Sequence, residues 1–516
     1  MVDVILAGYN VDRNALEDLV RKGAITNDDL KNFLTPETIS AAYARISRDP
    51  AAVTELRRVA RGEVEKARKS NQAIIFKMGH HSVAEHAVLN FDILGISKLA
   101  IETLEAQRLC SYTEKSQRYI KLGEDYIIPN ELKGFEAECR DLFHAQNKAY
   151  NEFYAILGPY FQDSKRHIAL AHEVIDAEEE QIGKKFSAET RQQKLEPILD
   201  GWAKEDARYT LSLATTGQLG FTTNARDLEK FIKYTTVHQL KEVQELGKKL
   251  YDSAMSVIPS LLLFFEPNDY LRNSKRRIKQ HLSSMCLPEI EPYPLFSGDD
   301  EVKLVMPDKE ADNKLVATLI RSGTGKSYTK AYAKATCLTF NEKKEIVKKT
   351  LEGIQQWDAV PREFEIPELT YEIIMSASCF AQFKRHRMLT LLPGPYEPAF
   401  GYTIPPSIEK SGLSPEFNQI MHHAETLYDK IKKEMPETEA AAYVLTNAHN
   451  RRVFVKMNVR ELYHVSRFRE DLHAQWDIRE KATKMVELAK GVMPLAMLLI
   501  GGKHEFQKIY NSAYSD

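Results

Sequence analysis

The chain has 516 residues, too many for one ordinary hydrophobic core, so two domains are expected. Its 71 Lys and Arg stand against 73 Asp and Glu, a net charge of −2, which excludes a broad basic face for nucleic acid or anionic lipid and leaves any anion site local. Five scattered cysteines (Cys110, Cys139, Cys286, Cys337, Cys379) without a CxxC pair, a start MVDVILAGYN without secretory features, and no apolar run of about 18 residues point to a cytoplasmic protein with free thiols and no membrane span.

In chain order, GHHSVAEH (Gly79 to His86) comes first, with His81 and Glu85 at i,i+4 spacing. It is not HExxH and has no further ligand cluster nearby, so polar contacts at a helix start, with Ser82 as cap, are expected rather than a metal site. NFDILGIS (Asn90 to Ser97) and, later, LTYEIIMS (Leu369 to Ser376) read as strands, each followed by a helix. QRLCSYTEKSQRYIKL (Gln107 to Leu122) is polar on every face and carries Arg108 and Arg118, a dense set of directed groups that suits an anion. Residues 130–205 are charged and rich in Glu, Lys, Gln and Ala, and read as added helices that the second half mostly lacks. Val237, Leu240, Val243, Leu246 and Leu250 trace an amphipathic helix. The Pro-rich acidic stretch CLPEIEPYPLFSGDDE (Cys286 to Glu301) reads as a linker. RSGTGKS (Arg321 to Ser327) resembles a phosphate loop, but Ile320 stands where that motif needs Gly. QFKRHRM (Gln382 to Met388) follows an apolar run and reads either as an anion site at the end of a buried element or as a solvated charge run. A last apolar stripe, Val465, Phe468, Leu472, Trp476 and Ile478 to Val486, reads as one continuing helical face.

The sequence repeats itself. AAYARIS at Ala41 returns as KAYAKAT at Lys330, and DYIIPNEL at Asp125 returns as GYTIPPSI at Gly401. Asn224 and Arg226 match Asn458 and Arg460 at an offset of 234, and Pro259 matches Pro494 at an offset of 235. Four matches in one order indicate a duplicated unit. The expected division is 1–285, a linker at 286–301, and 302–516; the class is α+β, helix-rich.

RHR at 385 to 387, GHHSVAEH, SYTEKSQRY, the NAR and NVR segments and HAQWDIR together resemble the flavin-dependent thymidylate synthase family, once in each half. Neither half keeps the whole family pattern. The first has Ala106, Gln107 and Arg108 at the RHR position, but retains Glu114, Ser116, Arg118 and Arg208, with Thr113 where the family usually has Asn. The second keeps Gln382, Arg385, His386, Arg387 and Arg469, but has Pro393 and Pro395 at the Glu and Ser positions and Ala442 opposite Arg208. Thr103 and Thr235 stand opposite Gln382 and Arg469. The losses are complementary, so the two halves together reconstruct one substrate site.

The resemblance implies two tandem thymidylate synthase-like domains and methylation of dUMP to dTMP. Methylenetetrahydrofolate would give the carbon, reduced FAD the hydride, and NADPH the reducing power. Glu114, Ser116, Arg118 and Arg208 would form the nucleotide phosphate side. Gln382, Arg385 and Arg469 would hold and activate the pyrimidine as the catalytic set. FAD would be held by Arg385, His386, Arg387, Asn458, Arg460 and His464, with Ser47, His80, Ser82 and Glu85 from the first half. The counterpart of GHHSVAEH in the second half, around Asp358 to Glu365, is degraded. The expected assembly is a homodimer, a pseudo-tetramer with two composite sites and two vacant pseudo-sites. A related flavoenzyme for another pyrimidine nucleotide, allowed by Thr113 and the loop Leu391 to Phe400, and an inactive nucleotide-binding or assembly protein are the alternatives.

Overall fold

The computed structural model describes residues 2–23, 26, 29, 34–116, 118, 120–121, 125–285 and 301–515. The expected linker at 286–301, apart from Glu301, therefore lies outside the described residues, as does Cys286. Two four-stranded antiparallel sheets form the frame. The first contains β1 (Asp3–Tyr9), β2 (Val88–Ser97), β3 (Ser111–Glu114) and β4 (Thr216–Asn224), in the order β1-β2-β4-β3. The second contains β5 (Val302–Met306), β6 (Glu368–Ser376), β7 (Thr390–Tyr396) and β8 (Asn450–Asn458), in the same relative order, β5-β6-β8-β7. Alternation decides β2: Leu89, Phe91 and Ile93 are buried and Asn90 and Asp92 exposed, the period of a half-covered strand.

Helices fill in around each sheet. In the first half those that frame the site include α1 (Glu37–Arg45), α2 (Lys98–Glu105), α3 (Glu136–Asp163), α4 (Lys165–Ile182), α5 (Ala188–Ala207), α6 (Ala225–Thr235) and α7 (Lys241–Met255). In the second they include α8 (Tyr328–Cys337), α9 (Ala377–Phe383), α10 (Ser414–Glu434), α11 (Val459–Arg469) and α12 (Trp476–Val492). α7 buries Val243, Leu246 and Leu250 at the spacing expected of a helix face. Its Gly247 is required by a close approach, because a Cβ there would lie 1.7 Å from Thr235 Oγ1. Among the described residues no helix is long and apolar enough to cross a membrane.

Three expectations are corrected, and RSGTGKS, which Ile320 already sets apart from a phosphate loop, is placed. The apolar stripe from Val465 to Val486 is two helices, not one, because Asp471 accepts the His473 N–H at 3.1 Å and turns the chain between α11 and α12. RSGTGKS closes the helix Ala311–Thr324, with Gly325 in the left-handed region at φ 67°, so that helix presents carbonyl oxygens there, the wrong polarity for a phosphate. Residues His81–His86 form a 3₁₀ turn with no side-chain cap, so Ser82 does not cap it. The surplus in 130–205 is narrower than composition implies. Tyr126 bridges Thr215 ahead of α3, and Tyr402 bridges His449 ahead of α10, so α10 is the counterpart of α3 and only α4 and α5 are additional.

The halves interlock across a pseudo-twofold axis. Leu213 N–H donates to Leu445 O and Asn447 N–H to Leu211 O, both at 2.8 Å, with Ser212 bridging Thr446 between them. On either side, each half inserts a tyrosine under the other half's helix start. Ser97 caps α2 and donates to Glu242 at 2.5 Å, where Tyr443 also donates at 2.6 Å. Ser376 caps α9 and donates to Asp477 at 2.6 Å, where Tyr209 donates at 2.9 Å. The apolar core is shared as well: Ala424, Leu427 and Ile431 of α10 join the first half's cluster around Phe91 and Phe143.

Lys98 lies in this crossing, 5% exposed, and donates to Asn447 Oδ1. Burial, aided by the nearby Arg208 charge, holds its ammonium down at about 7, against an ordinary 10.5. Between those values the unfolded chain keeps a proton that the folded chain releases, so stability rises with pH from about 7 to about 10. Lys98→Met should flatten that rise, as measured by urea midpoints for the two proteins at pH 7 and pH 9.

Candidate functional site

The C-terminal ends of α2 and α9 lead into β3 and β7, and the axis brings them together. Lys384 pairs with Glu105 at 2.8 Å, and Arg385 reaches both Glu105 at 2.7 Å and Glu114 at 2.8 Å. Arg387 donates to Arg108 O at 3.2 Å and to Cys110 O, while Arg108 donates back to Leu389 O at 2.5 Å. These cross-half bonds form within one chain.

Around this seam lie all seven residues of the expected substrate set. Arg118 of the first half donates to Gln382 Oε1 at 3.4 Å and to His473 O at 3.2 Å, and is paired with Glu205. The Ser116 hydroxyl accepts the Arg118 N–H at 3.1 Å. Arg208 is 5% exposed, donates Nε–H to Ser378 Oγ at 3.0 Å, and leaves Nη2 without a hydrogen-bond partner among the described residues. Arg469 donates to Gln382 O and to His386 Nε2, both at 2.9 Å. Glu114 and Arg385 complete the set through their mutual pair.

Four guanidiniums in one cluster, Arg208 buried and Arg118, Arg385 and Arg469 partly so, repel one another unless anions face them. Glu105, Glu114 and Glu205 supply part of the balance. Burial, with Arg118 and Arg385 adding to it, lowers Arg469 to about 10. His386 is not cationic as its place in the RHR triplet suggests. Burial and the neighbouring Arg469 hold it well below the usual imidazole value, and its Nε2 accepts from Arg469. Cys110 is buried, hydrogen-bonded to Thr223 at 3.3 Å, with its thiol pushed up by burial, which gives it a packing role.

The residues expected to hold flavin fall into separate groups. His386 and His464 meet, the two imidazoles 5.4 Å apart edge to face with Phe468 next, while Arg387 is tied to the Arg108 and Cys110 carbonyls. Asn458 caps α11, accepting Glu461 N–H at 2.8 Å, and Arg460 is tied to Glu365 at 3.0 Å. His80 contacts Arg48 at 3.0 Å and Glu85 pairs with Arg226, both within the first half. Among the described residues, no hydrogen bond or ion pair joins Ser47, His80, Ser82 or Glu85 to the second half. Sequence reasoning missed Glu105, Glu205 and Ser378, which carry no motif and are visible only through partners up to 280 residues away.

Across the axis, the mirror position holds a cavity of about 790 Å³. Thr103, Ala106, Pro393, Pro395, Glu397 and Ala442 line it, standing where the first site has Gln382, Arg385, Glu114, Ser116, Arg118 and Arg208. The loop Leu391 to Phe400 thus borders this cavity. Arg451 occupies its wall, paired with Glu102 at 2.9 Å and 4.1 Å from the Tyr396 ring centre.

The profile of the family described as "Thymidylate synthase complementing protein" matches residues 30–260 and 304–495. UPF0159 protein Ta1429 of Thermoplasma acidophilum is 23% identical over 474 residues, covering 88% of this chain and 92% of that protein. The flavin-dependent thymidylate synthase of Sulfolobus acidocaldarius is 35% identical over 192 residues, 37% of this chain and 58% of that protein. Among solved structures, the UMP/dUMP methylase PolB of Streptomyces cacaoi bound with 5-Br dUMP is 15% identical, covering 51% of this chain and 93% of its own, at a TM-score of 0.32. The flavin-dependent thymidylate synthase ThyX of Helicobacter pylori, complexed with FAD and dUMP, is 17% identical at a TM-score of 0.26. With two matches that together span most of its length, this chain belongs to the thymidylate synthase complementing protein family and carries the family's domain twice in tandem.

Proposed function

We propose that the chain is a flavin-dependent thymidylate synthase, converting dUMP to dTMP with methylenetetrahydrofolate and NADPH at one composite site per chain. The observation that carries this reading is Arg208, a buried guanidinium with an unmatched N–H beside Ser378, in a cluster with Arg118, Arg385 and Arg469 drawn from both halves. Such an excess of fixed positive charge suits a phosphorylated ligand.

In this reading Arg118, Arg208 and the Ser116 hydroxyl hold the nucleotide phosphate. The pyrimidine lies against Gln382, Arg385 and Arg469, whose guanidiniums stabilise negative charge developing on a ring carbonyl. No protein nucleophile is required, and the packing role of Cys110 agrees with that. The neutral His386, with His464 and Arg387, offers imidazole faces and donors that suit a flavin ring and its diphosphate. Reduced FAD would supply the hydride. Ser47, His80, Ser82 and Glu85 would complete the flavin site from a second chain, in a homodimer. The rewritten loop at 391 to 400 does not argue for another nucleotide, since it borders the mirror cavity.

Release of tritium from 5-tritiated dUMP in the presence of FAD, NADPH and methylenetetrahydrofolate tests the activity, and no release with dUMP but release with another pyrimidine nucleotide would redirect it. Arg118→Ala and Arg385→Ala should each lower turnover by roughly a hundredfold or more, the scale of losing a desolvated charged partner. Mixing the two variants should restore nothing, because both side chains come from one chain. Calorimetric titration should count one dUMP per chain, with the Glu397 side of the axis taking none; two per chain would contradict the composite reading.

A further inference from the structure

A chain of buried hydrogen bonds runs from the axis into the proposed substrate site, and its direction is fixed at the far end. The Ser376 and Tyr209 hydroxyls each give their single proton to Asp477 Oδ2, at 2.6 and 2.9 Å. The Ser376 oxygen also accepts the Cys379 N–H at 2.9 Å, and the Asp477 carboxylate has only acceptors to offer the two hydroxyls. With its proton committed, the Tyr209 oxygen can only accept, and Gln475 Nε2 donates to it at 2.8 Å. That turns Gln475 Oε1 toward Gln382, which donates Nε2–H to it at 3.3 Å. The Gln382 amide is thereby oriented with its carbonyl toward the site, where Arg118 Nη1 meets it at 3.4 Å, a donor facing an acceptor as the chain requires. Ser376, Tyr209, Asp477 and Gln475 are at most 2% exposed, so water does not offer an alternative pattern.

The mirror arrangement isolates what is special here. Ser97, Tyr443 and Glu242 repeat the first three members, but Leu240 stands in the place of Gln475 and Thr103 in that of Gln382, so the chain stops. Among the described residues, the polar connection to the site forms on one side of the axis.

We propose that Gln475 and Tyr209 are positioning residues that set substrate specificity, acting through the orientation of the Gln382 amide. This rests on the placement of the pyrimidine against Gln382 proposed above. Uracil offers an N3–H donor beside carbonyl acceptors, whereas cytosine offers a bare N3 acceptor beside an amino donor. An amide held carbonyl-forward, with its second N–H remaining, matches uracil and opposes an acceptor to the N3 of cytosine. The halves divide the work: the second supplies Gln382 and Gln475, and the first supplies the tyrosine that fixes their direction.

The test is equilibrium binding of dUMP and dCMP to the full-length, flavin-loaded protein at neutral pH. Wild type should prefer dUMP. Gln475→Met and Tyr209→Phe, both close in volume to the residues they replace, should each lower the dUMP-to-dCMP preference about tenfold, the scale of one net hydrogen bond, by freeing the Gln382 amide to turn. A purely structural role would weaken both nucleotides equally. Retention of the wild-type preference in either variant, with its circular dichroism unchanged, overturns the relay while leaving the nucleotide reading intact. Failure of wild type to bind either nucleotide overturns both.

Discussion

The strand crossing at Ser212 and Thr446 is the contact from which the site follows. Two main-chain hydrogen bonds of 2.8 Å, Leu213 to Leu445 and Asn447 to Leu211, lock one half against the other in an almost exchangeable register. Because these are backbone bonds buried among apolar neighbours, their geometry tolerates little slippage. Just ahead of the crossing, Tyr209 and Arg208 on one side and Tyr443 on the other are delivered to the opposing half, where they meet Asp477, Ser378 and Glu242. The duplication made the frame symmetric; the side chains hung on it are not. Arg208 reaches Ser378 at 3.0 Å, while its counterpart is an alanine beside a cavity of about 790 Å³.

Charge explains why such a division of labour is stable. A chain of net charge −2 can gather four guanidiniums in one place only by supplying local carboxylates, and Glu105, Glu114 and Glu205 serve that purpose from the first half. Two of the three face arginines of the opposite half or of its seam. Separating the halves would break the Arg385 pairs with Glu105 and Glu114 and the Lys384 pair with Glu105. On the mirror side Glu397 stands in place of Arg118 and Ala442 in place of Arg208, and the Arg451 charge is paired with Glu102 at 2.9 Å.

Local pattern made some of this legible and left the rest hidden. β2 was readable because it is half covered and alternates, and the duplication was readable because Asn224 with Arg226 recurs 234 residues later at Asn458 with Arg460. The single-helix expectation for Val465 to Val486 failed because apolar spacing continues through a turn that Asp471 imposes by accepting from its own neighbour, a bond no periodicity reports. His386 was grouped with cations by its neighbours in sequence, yet burial and Arg469 make it neutral. Glu105, Gln475 and Tyr209 carry no motif of their own. Their roles depend on partners such as Lys384, Gln382 and Asp477, and of these only Gln475 and Gln382, 93 residues apart, belong to the same half.

The central claim is that one nucleotide site per chain is assembled from both halves, with its phosphate end in the first and its ring end in the second. A crystal structure of the protein grown with dUMP and FAD tests this most directly. The account predicts one dUMP per chain, its phosphate within hydrogen-bonding distance of Arg118 and Arg208 and its ring against Gln382 and Arg469. A nucleotide seated in the mirror cavity beside Glu397, or one whose phosphate is held without Arg208, would contradict it.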